Sequence, residues 1–170
     1  PEGGLDLLQD ITLEVNAGDS LAITGPSGSG KSTLLSLLAG LDVPTAGHVK
    51  LNGASFSQAD EDERARLRGE QCGFVFQHFQ LINDLTALEN VMLPLEILNR
   101  EKRRELAMHW LDQVGLAHRQ HHFPVQLAGG EQQRVALARA FVVSPCCLPM
   151  NPPAAWISLT VSMWPIYCLR

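Results

Sequence analysis

The sequence predicts an α/β core that carries a helical insertion. Three observations support this: strand-like alternation at Ile11–Val15, a glycine-rich loop between a short apolar run and a helix-like run, and consecutive helical segments from Ala87 to Val143. The chain has 170 residues, 45% of them hydrophobic, enough for one ordinary core and outside the range of disordered chains.

The elements read as follows. Ile11-Thr12-Leu13-Glu14-Val15 alternates apolar and polar residues, as a half-buried strand does. A turn cluster, Asn16-Ala17-Gly18-Asp19, leads into a short buried strand over Ser20–Thr24 that ends at Gly25. Lys31 to Ala39 is helical and stops at Gly40. His48–Leu51 is a strand turning at Asn52-Gly53, Asp60–Arg68 a charged helix, and Gly73–Phe76 a buried strand. Helices follow at Ala87–Leu98, Glu101–Val114 and Glu131–Val143.

The chemistry is concentrated in Gly25-Pro26-Ser27-Gly28-Ser29-Gly30-Lys31-Ser32, which fits G-x-x-x-x-G-K-[ST] in the required strand–loop–helix setting. Glycines let the backbone turn several N–H groups toward one anion, and the helix start adds its partial positive charge. Lys31 can reach the β- and γ-phosphates of a nucleotide, and the Ser32 hydroxyl is placed for Mg²⁺. Thr33 completes the stretch, which reads as a nucleotide-phosphate site.

A second glycine pair opens a helix about 100 residues later, in Leu127-Ala128-Gly129-Gly130-Glu131-Gln132-Gln133-Arg134. Alone it would be a helix-opening turn. With the first loop it resembles the L-S-G-G-[EQ]-Q-Q-R signature of ABC transporter ATPases. Gly73-Phe74-Val75-Phe76-Gln77 is similar to the strand ending in that family's Q-loop glutamine. Residues 73–82, Leu85–Val91 and Glu131–Ala140 resemble the branch of lipoprotein-releasing and macrolide-export ATPases, with coverage from about Leu8 to Pro145.

The resemblance implies an α/β P-loop NTPase (RecA-like) core with the family's antiparallel strands and a helical subdomain. It implies ATP and Mg²⁺ as ligands. Residues 25–33 would take the phosphates, and Ser32 with Gln77 would position the metal and the water. Leu127, Ala128, Gly129, Gly130, Glu131 and Gln132 would face a second subunit's nucleotide in a head-to-tail homodimer. Residues 78–126 would grip a membrane permease, placing the subunit in the cytoplasm against the inner face of the membrane. On this division residues 1–77 begin the nucleotide-binding core, 78–141 form the helical subdomain and signature helix, and 142–170 are a truncated end. Ala128 stands where the family has serine. Losing that hydroxyl's bond to the γ-phosphate costs about 1.5–3 kcal/mol, which weakens closure without changing the function.

The last 25 residues read differently from the rest. They hold three of the four Cys, two of the three Trp, the only Tyr and a single charged side chain, Arg170, where the chain-wide 18% would place about four or five charges. Between Cys146 and Leu169 there is no Asp, Glu or His, so the Asp-Glu catalytic motif that the resemblance implies does not appear in frame there, and the C-terminal half of the core is expected to be missing. Reading codons from the third base of each existing codon tests for a frame change. Met150 with Asn151 forces Glu, Trp156 with Ile157 forces Asp, and the permitted residues complete V-L-F-A-D-E-P-T-G-x-L-D. Residues 146–170 are therefore expected to be an out-of-frame tail. The chain also starts at Pro1 rather than Met, so its true start is expected to lie upstream.

Other features narrow the function class. A net charge of −5 offers no electrostatic reason for a nucleic-acid partner. One Cys in the first 145 residues is the pattern of a reduced compartment, and neither a signal peptide nor an 18–20-residue apolar run is visible. His118-Arg119-Gln120-His121-His122 reads as a solvated loop rather than a metal site, because Arg119 repels a cation and no acid or Cys lies nearby. The charged runs at 60–68 and 100–105 read as exposed helix faces, and Trp110 with Leu106 and Val114 as a core stripe. The leading expectation is a hydrolysis-deficient ATP-binding subunit of an ABC exporter or lipoprotein-handling system. The alternatives are a non-transport ABC ATPase and a non-catalytic nucleotide-binding remnant; a kinase-like enzyme leaves Gln77 and Leu127–Arg134 unexplained.

Overall fold

Helix α1 runs from Lys31 to Leu38, ending where Gly40 was expected to stop it. It belongs to a computed structural model that describes residues 7–16, 21, 23–76, 78–143 and 146–150. A tight hairpin follows, β1 (Lys50–Leu51) and β2 (Ala54–Ser55), antiparallel about the Asn52-Gly53 turn. Its left-handed Asn52 (φ 49°) and Gly53 (φ 80°) are what such a two-residue turn needs. Helix α2 (Glu61–Gln71) starts at Asp60, whose carboxylate accepts from the Glu63 N–H at 2.9 Å. Strand β3 (Cys72–Phe76) follows without a loop.

Three helices make the second half: α3 (Ala87–Ile97), α4 (Arg103–Gln113) and α5 (Gly129–Phe141), with 3₁₀ turns at Ala117–Arg119 and Pro124–Gln126. Val91, Leu95, Ala107, Leu111, Leu116, Val135 and Ala138 are buried and form their common core. A second core joins Val15, Ala39, Leu51, Phe56, Leu67 and Cys72. A third cluster, Val75, Ala136 and Ala140, fixes β3 on α5. Gly73 allows this closeness, because a Cβ there would strike the backbone of Ala140.

Several expectations need correction. Ile11–Val15 is not a strand, and neither are Leu21, Ile23 and Thr24, the described part of the run before the loop. A strand exists only as half of a hydrogen-bonded pair, and no described segment pairs with either run. Ile11, Leu13 and Leu21 accordingly remain exposed. The strand expected over His48–Leu51 shrinks to two residues. Leu106 is exposed rather than part of a core stripe, while Trp110 is half-buried and stacks on Phe141 at 5.5 Å. Apart from these corrections, Cys146–Met150, at the start of the stretch read as an out-of-frame tail, form strand β4, parallel to β3 with Cys72 opposite Cys146 and Phe76 opposite Met150, a pairing that leaves the reading of the tail unaltered. Ladder pairing is made by backbone groups, so a strand can form whatever its residues were selected for. Pro149 removes one donor, which an edge strand tolerates.

Candidate functional site

The phosphate loop is an exposed turn, Gly25 to Ser29, ending at Gly30. Gly28 (φ 81°) and Gly30 (φ 79°) are both left-handed, a conformation that side-chain-bearing residues rarely adopt. Gly30 is also confined, since a Cβ there would press on the Leu8 side chain at 2.9 Å. It is the N-cap of α1, so the helix's first N–H groups, at Lys31 and Ser32, open toward the loop. The Lys31 ammonium folds over the loop, donating to the carbonyls of Gly25 (2.9 Å) and Pro26 (2.5 Å) and to Ser29 Oγ (3.3 Å). Its charge thus sits above the cradle that the glycines form. Pro26, Ser27 and Ser32 are exposed and Thr33 is half-buried. Left-handed glycines, unpaired helix-start donors, one ammonium and one hydroxyl fit a phosphorylated ligand with its Mg²⁺.

The second segment is built differently. Leu127 is buried and anchors it, and Ala128 is the N-cap of α5 in extended conformation (φ −63°, ψ 155°), without a side-chain cap. Gly129 and Gly130 form the exposed first turn, contributing the helix's leading N–H donors. Glu131 reaches back so that one carboxylate oxygen accepts from the Ala128 N–H at 2.9 Å, while the other lies 3.2 Å from Arg119 Nε. The Ala128 bond first, then Arg119, holds its carboxyl below the ordinary 4.5. Gln132 Nε2 donates to the carbonyls of Pro124 and Leu127, both at 3.0 Å. Glu131 and Gln132 therefore shape the helix start, while the two glycines face outward. Gln77, expected to place metal and water, lies outside the described residues.

The flanking features are scaffolds. The 118–122 segment is more than a solvated loop: the carbonyls of His122 and Gln120 accept the Ala87 (2.8 Å) and Leu88 (3.0 Å) N–H groups at the start of α3. The charged face of α2 is exposed at Glu61, Asp62, Glu63 and Arg66, the last between Glu63 and Glu70, but Arg64 and Arg68 are half-buried rather than exposed as expected. Its Arg68 also donates to the Gly40 carbonyl at 2.5 Å. Sequence reasoning missed Asn90, which has no exposed surface and makes four hydrogen bonds around the turn before α3. It also missed Arg139, which reaches the carbonyls of Phe79 and Gln80. A buried Asn in an apolar helix stripe was the available signal for the first; a surface-like spacing of charges hid the second.

A glycine-cradled lysine in front of one helix, with a glycine-opened second helix packed on β3, is an arrangement of the P-loop NTPase fold. Comparison with known proteins then fixes the family: residues 8–153 match the ABC transporter profile, and the chain belongs to that family. The lipoprotein-releasing system ATP-binding protein LolD of Saccharophagus degradans is 45% identical over 151 residues, 88% of this chain and 66% of the relative. The LolD of Hydrogenovibrio crunogenus is 48% identical over 149 residues, 86% and 65% of the two. Among solved structures, a dimeric post-hydrolysis state of the ATP-binding cassette MJ0796, bound to ADP and Pi, superposes with TM-score 0.75 at 42% identity, over 88% of this chain and 68% of that one. The chain thus spans about two thirds of the length of the curated relatives it matches.

Proposed function

We propose that the chain is an ATP-binding subunit of the lipoprotein-releasing type, built to couple nucleotide binding to a membrane permease. The observation that carries this reading is the Lys31-capped loop at the start of α1, in a chain 45–48% identical to two LolD proteins. In this role the N–H groups of residues 28–33 and the Lys31 ammonium neutralise the phosphates, and Ser32 offers its hydroxyl to Mg²⁺. Gln77 would position the metal and the attacking water. The signature glycines, with Leu127, Ala128, Glu131 and Gln132 setting their position, would meet the nucleotide of a second copy in a head-to-tail dimer. ATP with its Mg²⁺ supplies the bond whose cleavage would reset that dimer.

Residues 78–126 are the permease-facing part of this reading. Their support is a cleft of about 460 Å³ bordered by Arg68, Phe76, Leu93, Pro94 and Ile97, the last 73% exposed. A subunit seated there works at the cytoplasmic face of the membrane. Among the described residues no helix is long and apolar enough to cross it. Because no Asp or Glu lies between Cys146 and Leu169, we further propose that the chain binds ATP but hydrolyses it poorly, by on the order of 100-fold or more.

Fluorescent ATP-analogue binding with Mg²⁺ tests the first half. Lys31→Ala should lower affinity at least tenfold without lowering the melting temperature, since Lys31 bonds only exposed loop carbonyls and Ser29 Oγ. Equal affinity in both proteins refutes the assignment. Phosphate release at the rate of an intact family member refutes the second half.

A further inference from the structure

Arg139 lies near the end of α5, about two and a half turns past the glycines that open the helix. Its Nη2 donates to the Phe79 carbonyl at 2.8 Å and its Nη1 to the Gln80 carbonyl at 2.7 Å, across 59 to 60 residues of sequence. Among the described residues no carboxylate pairs with this guanidinium. Burial pulls the pKa of this guanidinium down from its ordinary value. Those carbonyls belong to an unusual pair: Phe79 (φ 57°) and Gln80 (φ 45°) are consecutive, left-handed, and neither is glycine. The turn is closed on its other side by the Phe79 N–H, which donates to the Phe76 carbonyl at the end of β3 (2.9 Å).

A half-buried cation held by two backbone carbonyls gives up part of its hydration to fix that turn. Charge on a guanidinium strengthens both bonds, and its planar fork fixes the direction of both carbonyls together. The Phe79 and Gln80 N–H groups bond within the turn, to the carbonyls of Phe76 and His78, and Phe79 packs on the Val75, Ala136 and Ala140 cluster; Arg139 is the side chain that bonds the two carbonyls of the pair from α5. Arg139 and Gln80 also form one wall of the cleft between α2, β3, α3 and α5. We propose that Arg139 is a positioning residue that locks the loop leaving β3 onto α5, so that this loop and the glycine-opened start of α5 move as one body. This rests on the nucleotide-binding reading above, in which that loop also bears Gln77.

Hydrogen exchange and nucleotide binding, measured on the full chain, test it together. In Arg139→Met, amides of residues 78–81 should exchange at least tenfold faster, with α4 and the first turns of α5 unchanged. Arg139→Lys, which keeps the charge but loses the fork, should fall between. Adding Gln80→Gly to Arg139→Met should recover at least threefold of the protection, because glycine adopts positive φ unaided. In ATP binding, Arg139→Met should raise the Mg²⁺ concentration for half-maximal effect at least threefold and leave affinity in EDTA unchanged. A loop that exchanges as in the wild type, or a chain that loosens uniformly, overturns the lock. Faster loop exchange with an unchanged Mg²⁺ dependence overturns its link to the nucleotide site. Absence of ATP binding in the wild type would instead refute the nucleotide reading, and the exchange arm would still decide the lock.

Discussion

Replacing Asn90 with alanine should destabilise the helical half more than any other single polar substitution in it. Asn90 has no exposed surface. Its carbonyl oxygen accepts the Ile82 N–H at 2.9 Å, and its amide nitrogen serves the carbonyls of Ile82 (3.1 Å), Leu85 (3.0 Å) and Thr86 (3.0 Å). Two of these acceptors keep other partners in the variant: the Ile82 carbonyl still takes the Leu85 N–H, and the Thr86 carbonyl takes the N–H of residue 90. The Ile82 N–H and the Leu85 carbonyl lose the bonds that Asn90 gave them. Each orphaned group costs about 1–3 kcal/mol when buried. Ile82 is 42% exposed, so water recovers part of its share. The sum is about 2–4 kcal/mol, a large part of a typical domain's 5–15. Urea unfolding followed by circular dichroism at 222 nm should show a midpoint lower by about 1–2 M with an unchanged slope. Asn90→Asp keeps the acceptor but loses the donors and buries a carboxylate, so at pH 7 it should be no better. A midpoint within about 0.2 M of the wild type for Asn90→Ala would refute the view that this side chain holds the turn.

Three further outcomes follow from the same geometry. Gly73→Ala, which drives a Cβ into the Ala140 backbone, should cost about 3 kcal/mol by chemical denaturation, because backbone cannot rotate away as a side chain can; a wild-type midpoint would show that β3 and α5 pack less closely. Ala128→Ser supplies the missing N-cap of α5 and should raise stability by about 0.5–1 kcal/mol, or about 1–4 °C in melting temperature; an unchanged Tm contradicts the capping geometry. The carboxyls of Glu89 and Glu131 are both held below the ordinary 4.5, Glu89 by Thr86 and Glu131 first by the Ala128 N–H. Their folded pKa values lie under the unfolded ones, so their contribution is full above about 4.5 and is lost as pH falls through the folded values. Acid titration of the 222 nm signal should therefore show helix loss beginning below pH 4.5 that is smaller in Glu89→Gln and Glu131→Gln; identical curves would exclude those two groups.

The helices were legible because their signals are local. The Thr86/Glu89 capping box sits within four residues of chain: the Thr86 N–H donates to Glu89 Oε2 (2.8 Å), and the Glu89 N–H to Thr86 Oγ (3.3 Å). Asp60 announces α2 in the same way, and the glycine pair announces α5. The phosphate loop was legible for a related reason, since eight consecutive residues carry its turn, its charge and its helix start. The early strands were not, because Ile11–Val15 states which face is apolar but not which segment pairs with it. Arg139 was invisible on the same account. Its partners lie 59 and 60 positions earlier, and nothing in a helix rich in Ala and Arg distinguishes an arginine facing solvent from one facing two carbonyls.

That contrast bears on how the two halves of the chain support the site. The signature turn stands on a helical core closed among its own neighbours: Leu127, Val135 and Ala138 pack with α3 and α4, and the 118–122 segment caps α3. Gly129 and Gly130 are therefore presented by a scaffold that needs no distant strand. The phosphate loop stands on less. Its helix α1 contains no fully buried residue, and the run that leads into it is unpaired among the described residues. What gives the loop its form is its own glycines and Lys31 bonding its own carbonyls. On the proposed function, phosphate binding would draw Lys31 and the loop's N–H groups onto one anion and so stabilise the part that is otherwise least supported. Nucleotide should consequently protect residues 23–40 from hydrogen exchange far more than residues 87–141, and equal protection in both would contradict the division of support drawn here.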